Sequence, residues 1–269
     1  MIEIKPRDWP ELQKCLFDYE AGLTAPGRFR SPFAYRGLSQ NFKEIKTSLM
    51  RIGGPYQRIE PAILRNFKKY ADIKKLDWDS EWLWLSLAQH HGLPTRLLDW
   101  TYSPYVALHF ATDDTSKSKE DGVIWCLNYQ KIREYIPEEL KDVMNDGGFK
   151  FTVKQLQHAI NDLMDLDRLD KKYGTFLMFL EPPSLDSRIV NQYALFSLMS
   201  SSSALLNKWL DEHDKEGDLY RKIIISSDLK WEIRDNLDQA NINERMLFPG
   251  LDGLCVWLKR YYSSKDGAD

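Results

Sequence analysis

Patterns typical of helices and patterns typical of strands alternate irregularly along this 269-residue chain. Asp8 can cap a first helix, with Pro10 in its first turn and apolar residues at helical spacing after it. Short apolar runs at residues 123–127 and 223–225 instead predict buried strands. Because no regular strand–helix–strand repeat connects these segments, the pattern favours an α+β domain over a doubly wound parallel sheet.

A helix, a turn and a strand follow one another in the middle of the first half of the chain. A helix rich in Trp and Leu is predicted over residues 79–91, and Gly92 supplies a left-handed stop. Pro94 prevents the helix from continuing, and residues 96–100 predict a strand. This order brings the polar end of a helix close to an apolar strand.

Other segments set the expected domain organisation. Residues 33–36 predict a short strand that Gly37 ends, and a second helix is predicted to follow Pro61. Residues 189–196 are a further strand candidate. The polar, helical segment at about residues 131–172 is interpreted as an insertion that lies over the core, in the manner of a lid.

Composition and missing motifs exclude several classes of protein. A formal net charge of −3 gives no global attraction to nucleic acid or anionic membrane. The three cysteines are widely spaced and form no CxxC pair, so no metal site is predicted. The phosphate-loop, dinucleotide, HExxH and GxSxG patterns are absent. The N-terminus lacks a signal pattern and no apolar run has membrane-spanning length, which predicts a cytoplasmic protein without a membrane partner.

Two stretches place charged or polar residues next to apolar segments that are predicted to be buried. Arg36 ends an apolar strand, where its planar guanidinium suits a phosphate or carboxylate, with a structural salt bridge as the alternative. Residues 88–101 hold two His, an Arg, an Asp and two Thr between apolar anchors. Neighbouring His90 and His91 cannot face the same way on a helix. Polar groups at this density need either a hydrogen-bonding network or a ligand.

Four segments of the sequence resemble the FRG domain family, which is named for a Phe-Arg-Gly motif. They are FAYRG at 33–37, AQHHGLPTRLLDWT at 88–101, the SP, VAL and FA groups within 103–111, and LFPGLDGL at 247–254. Tyr35 stands where phenylalanine is usual. The resemblance implies an N-terminal helix and lead-in over residues 1–29, an FRG domain over residues 30–260 and a tail over residues 261–269.

The same segments are similar, more distantly, to ADP-ribosyltransferases. That resemblance implies a mixed, split β-sheet core with surrounding helices, and NAD as the substrate. It implies that Arg36 binds the phosphates of NAD, that His90 or His91 orients the ribose, and that Glu244 is the catalytic carboxylate, with Glu181 as second candidate. The implied NAD-binding set is Tyr35, Arg36, Gly37, Thr95, Arg96, Asp99, Trp100 and Thr101.

The resemblance implies an ADP-ribosyltransferase or NAD glycohydrolase whose reacting centre is the nicotinamide ribose. Its acceptor would be a protein or a nucleic acid, and family likeness suggests a toxin-like role in bacterial defence. The alternative is a non-catalytic module on the same scaffold that binds a nucleotide, a nucleic acid or a protein. The absence of a late Glu-x-Glu pattern favours this alternative. The net charge counts against a nucleic-acid binder that uses the paired lysines.

Overall fold

A mixed β-sheet forms the centre of the molecule, seen in a computed structural model that describes residues 2–18, 30–42, 44–71, 79–144, 148–184 and 186–265. Within these residues its strands are β1 (Ile2–Ile4), β2 (Phe33–Leu38), β3 (Leu97–Thr101), β4 (Gly122–Asn128), β5 (Phe151–Thr152), β6 (Leu177–Glu181), β7 (Ala194–Met199) and β8 (Tyr220–Ile225). Their order across the sheet is β1-β8-β4-β2-β3-β7-β6-β5. Strands β1 and β5 run parallel to β8 and β6, and the other neighbours are antiparallel. The predicted mixture of helices around a mixed sheet is confirmed.

Helices cover both faces of this sheet. They are α1 (Trp9–Phe17), α2 (Ser48–Ile52), α3 (Tyr56–Tyr70), α4 (Glu81–His90), α5 (Pro104–Thr112), α6 (Tyr129–Ile132), α7 (Glu138–Lys141), α8 (Val153–Ala159), α9 (Leu163–Tyr173), α10 (Ser187–Asn191), α11 (Leu206–His213), α12 (Lys230–Gln239), α13 (Glu244–Leu247) and α14 (Leu251–Tyr261). Short 3-10 turns lie at Thr115–Lys117, Arg133–Tyr135 and Ser227–Leu229. In the described part of the chain, none of these helices has the length and apolar character needed to cross a membrane.

The sheet is split in its middle. Among the described residues, β2 and β3 are paired only at Tyr35 and Thr101. In contrast, β2 pairs with β4 along its full length, and β3 does the same with β7. The two halves of the sheet are therefore joined at one point, and the rest of the β2–β3 boundary lacks a backbone ladder.

Alternate residues of the central strands pack against different helices. Tyr35 of β2 and Ile124 of β4 lie in an apolar cluster with α1, α5 and α12. On the opposite face, Ala34 and Trp125 lie in a cluster with α11. Both faces of these strands are buried, which explains why their sequences are apolar almost throughout.

Gly37 lies inside β2, which corrects the prediction that it ends the strand. Helix α5 crosses β2 at this point so closely that a Cβ on Gly37 would lie 1.8 Å from the carbonyl oxygen of Ala107 and 2.8 Å from the amide nitrogen of Ala111. The glycine therefore permits close packing of a helix on a strand.

Three further sequence predictions are wrong. Pro61 lies within α3 and does not begin it, although its ring nitrogen cannot donate to the preceding turn. Residues 189–196 divide between α10 and β7, because Asp186 caps a helix there by accepting the N–H of Ile189 at 3.1 Å. The segment at 131–172 is no lid, since it supplies edge strand β5 and its apolar side chains are buried in the core together with those of α4.

Candidate functional site

A cleft of about 650 Å³ opens along the part of the β2–β3 boundary that has no ladder. Its walls come from residues 35–39 in and after β2, residues 89–93 at the end of α4, residues 99–101 of β3, and parts of α10 and β7. This volume is typical of a small-molecule site. Arg36 and the two neighbouring histidines, far apart in the sequence, share this one cleft.

Arg36 bridges the gap between the two halves of the sheet. Its Nη1 donates to the backbone carbonyl of Asp99 at 2.5 Å and lies 3.8 Å from the Asp99 carboxylate. The side chain is 16 % exposed, and its buried Nε has no hydrogen-bond partner among the described residues. Burial lowers the pKa of the guanidinium and the Asp99 carboxylate opposes this. Arg36 thus lines the cleft, makes one structural bond through Nη1, and has a buried Nε that is left without a partner among the described residues.

Asp99 carries the one carboxylate among the described residues that line the cleft. Its side chain is 58 % exposed and accepts a hydrogen bond from Gln89 Nε2 at 2.9 Å. The Oε1 atom of Gln89 in turn accepts from the Thr95 hydroxyl at 2.6 Å. Thr95 is fully buried and does not line the cleft, so it acts on the site only by fixing Gln89.

The two histidines differ in their surroundings. His90 is nearly buried, and its Nε2 lies 2.5 Å from the Asp186 carboxylate. His91 is exposed and meets the His90 ring edge-on, with 5.2 Å between the ring centroids. Partial burial raises the pKa of Asp186, but the Ile189 N–H and the His90 ring outweigh it, and the pKa lies below its ordinary value. An ionised Asp186 therefore holds the His90 ring in one orientation.

A second guanidinium reaches the cleft from α10. Arg188 lines the cleft and stacks over the Phe248 ring at 4.9 Å from its centroid. Its Nε is buried and, within the described part of the chain, has no hydrogen-bond partner. Sequence analysis missed both Arg188 and Asp186. The one available signal was the Asp-Ser pair at 186–187, which is typical of a helix N-terminus.

Arg96 was expected to bind the cofactor, but the structure places it outside the cleft. It is 1 % exposed, and its Nε and Nη1 contact the carboxylates of Glu60 at 2.6 Å and Asp167 at 3.1 Å. Nη1 also donates to the backbone carbonyl of Ser200 at 2.9 Å. These partners occupy most of its donors, so Arg96 joins α3, β3 and α9 inside the protein.

The remaining expected NAD-binding residues line the cleft, and their polar side-chain groups form hydrogen bonds within the protein. The Tyr35 hydroxyl bonds with Ser31 at 2.7 Å, which directs the ring into the core. Trp100 Nε1 donates to the Ser197 hydroxyl at 2.8 Å. The Thr101 hydroxyl donates to the backbone carbonyl of Gln192 at 2.7 Å. Together with Gly37, these residues shape the cleft wall.

Neither carboxylate expected at the reacting centre lines the cleft. Glu244 is buried, and its carboxylate meets Arg234 at 2.5 Å and Arg260 at 2.7 Å. Burial raises its pKa, but the two guanidinium groups outweigh this and lower it overall. Glu181 instead pairs with Lys150 at 2.5 Å. Glu244, which the resemblance gave as the catalytic carboxylate, thus lies outside the cleft, and both its oxygens accept hydrogen bonds from Arg260 of helix α14.

No metal centre is apparent within the described ranges, where no three His, Cys, Asp or Glu side chains come together. Residues 31–120 match the family model of the FRG domain. This match includes β2, α4, β3 and α5, and therefore Arg36, both histidines and Asp99. No curated protein and no solved structure matches the chain.

Proposed function

From the FRG domain that residues 31–120 of this chain form, we propose that the cleft binds NAD and cleaves the bond between nicotinamide and ribose. One observation carries the proposal. Arg36 and Arg188 line the same cleft from different elements, and each has a buried Nε without a partner among the described residues. A buried donor without a partner is costly, and an anionic ligand would relieve that cost.

The two arginines match the two phosphates of a dinucleotide. Each guanidinium offers donors in a planar fork that suits phosphate oxygens, and each such charge-assisted bond contributes about 1.5–3 kcal/mol. The cleft volume of about 650 Å³ is within the range of sites that bind small molecules and cofactors. NAD therefore fits the charge and the size of this cleft better than a neutral metabolite does.

In this proposal, Asp99 supplies the carboxylate that acts at the ribose. When the bond from C1′ to the nicotinamide nitrogen breaks, its electron pair leaves with neutral nicotinamide and C1′ becomes cationic. The Asp99 carboxylate stabilises that cation. Water then bonds to C1′ and loses a proton. His90 accepts it at Nδ1, because Asp186 engages its Nε2.

The test measures NAD affinity by calorimetry and nicotinamide release by chromatography. Arg36→Ala and Arg188→Ala are expected to weaken NAD binding at least tenfold each. The matched control is Arg65→Ala, on the exposed side of α3, which should bind as the wild type does. Asp99→Asn should bind NAD yet release no nicotinamide. Unchanged NAD affinity in both cleft arginine variants would contradict the proposal.

A non-catalytic nucleotide-binding module is the second candidate. It is favoured by the position of Glu244 and Glu181, since neither of these carboxylates reaches the cleft. In that case NAD and ADP-ribose would bind with similar affinity and the wild type would release no nicotinamide. A steep loss of affinity for RNA or DNA with rising salt would instead indicate a nucleic-acid ligand.

A further inference from the structure

Helix α14 is attached to the protein by an ionic and closely packed inner face. Gly253 lies so near α13 that a Cβ there would be 1.9 Å from the Phe248 carbonyl oxygen. Arg260 is buried, and its guanidinium bonds to Glu244 at 2.7 Å and to Asp238 at 2.7 and 2.8 Å. This face of the helix holds α14 in place without an apolar stripe.

The apolar stripe of α14 faces the other way. Leu251 and Tyr262 are 77 % and 81 % exposed, and Cys255 and Leu258 are exposed between them. These four positions are four, three and four residues apart, so they form one stripe along the helix. A surface helix ordinarily presents polar residues to solvent. The orientation of α14 is inverted, which indicates a face that another apolar surface covers.

We infer that a second copy of this chain covers that face, with the two α14 helices antiparallel. The spacing of the stripe is the one that lets two helices interlock along a seam. Asp252 and Lys259 are exposed and lie on one flank of the stripe, seven residues apart. A two-fold axis midway between them brings Asp252 of each copy level with Lys259 of the other. Both ion pairs then form at once, as an isologous interface requires.

The same charges disfavour the other arrangements. In a parallel two-fold pair, the flanks that carry Asp252 and Lys259 lie on opposite sides of the seam, so neither ion pair can form. A partner of unrelated sequence would have no reason to meet charges with this symmetry. The antiparallel second copy is therefore the occupant that the flanking charges select.

Cys255 supplies a reporter of this geometry. It lies in the stripe within one residue of the inferred axis, where successive residues rise by only about 1.5 Å. The two Cys255 side chains of a dimer would face each other across helices whose axes are about 8–10 Å apart. A short bismaleimide should therefore join them. Cys126 is buried and Cys15 is partly buried, so Cys255→Ser is expected to abolish the crosslinked dimer.

Analytical ultracentrifugation of the full chain tests the inference. The wild type should be a dimer, and Leu258→Glu should weaken it by about tenfold or more because it places a charge in the seam. Asp252→Lys alone and Lys259→Asp alone should each weaken the dimer, and the double exchange should restore it. Circular dichroism of each variant confirms that it is folded. A monomeric wild type at all concentrations, or a double exchange that is no better than the single variants, would overturn the inference.

Discussion

Arg36 and Asp99 are joined across the gap in the sheet by a hydrogen bond from the guanidinium Nη1 to the Asp99 backbone carbonyl, 2.5 Å long. It lies in the part of the β2–β3 boundary that has no ladder, where Arg36 is one residue beyond Tyr35 and Asp99 is two residues before Thr101. One side chain therefore joins the two halves of the sheet and also lines the cleft. The two roles respond differently to substitution.

Arg36→Lys should separate these roles. Lysine keeps the charge but offers a single ammonium in place of a planar fork. We expect it to reach either the carbonyl or the ligand, so that stability falls by about 1 kcal/mol while NAD affinity falls at least tenfold. Urea unfolding and calorimetry measure the two effects on the same protein. Equal NAD affinity in Arg36→Lys and the wild type would show that a positive charge, without the planar guanidinium, is enough for NAD binding.

Gly37→Ala should be strongly destabilising. The added methyl group would collide with the backbone of α5, which cannot move without breaking its packing on β2. We expect a loss of about 3 kcal/mol or more in the free energy of unfolding. Gly92→Ala is the control, because a Cβ at Gly92 meets open space and only its left-handed φ of 82° opposes the change. That variant should lose about 1 kcal/mol.

Local backbone preferences made the middle of the chain predictable. Gly92 adopts the left-handed conformation expected of a helix stop. Ser103 caps α5 by accepting the Val106 N–H at 3.3 Å. Such features depend on a few neighbouring residues, and sequence alone contains them. The prediction for Gly37 was wrong because its reason lies in the helix that crosses it.

Sequence alone could not predict which charged side chains form ion pairs inside the protein and which line the cleft, because their partners come from distant parts of the chain. Arg36 and Arg96 both lie on or beside central strands, yet Arg96 meets Glu60 from α3 and is withdrawn from the cleft. Glu244 likewise meets Arg234 and Arg260. His90 meets Asp186, the N-cap residue of α10, which lies 96 residues further along the chain. Long-range pairing of this kind decides which polar residues remain available to a ligand.

The contrast between Arg96 and Arg188 gives a direct test. Arg96→Leu leaves the buried carboxylate of Glu60 without its cation, which costs about 3–5 kcal/mol in the free energy of unfolding. Arg188→Leu should cost less than about 1 kcal/mol, because the interaction described for its guanidinium is a stacking contact with the Phe248 ring. When both variants are folded, Arg188→Leu should weaken NAD binding more than Arg96→Leu does. Weakened binding in a folded Arg96→Leu protein, equal to that of Arg188→Leu, would show that Arg96 reaches the ligand.

Asp113, at the end of α5, should make the protein more stable in mild acid than at neutral pH. Burial raises the pKa of its carboxyl to about 6, above the ordinary value near 4. Between these values the folded state holds the proton more tightly than the unfolded state does, so stability falls as the pH rises through this window. Asp113→Asn removes the charge, and at pH 7.5 it should raise the free energy of unfolding by up to about 2 kcal/mol, after allowance for solvent screening. At pH 4 the two proteins should have nearly equal stability. Urea unfolding at both pH values measures the difference, and a stabilisation by Asp113→Asn that was the same at both would show that the pKa of Asp113 is unshifted.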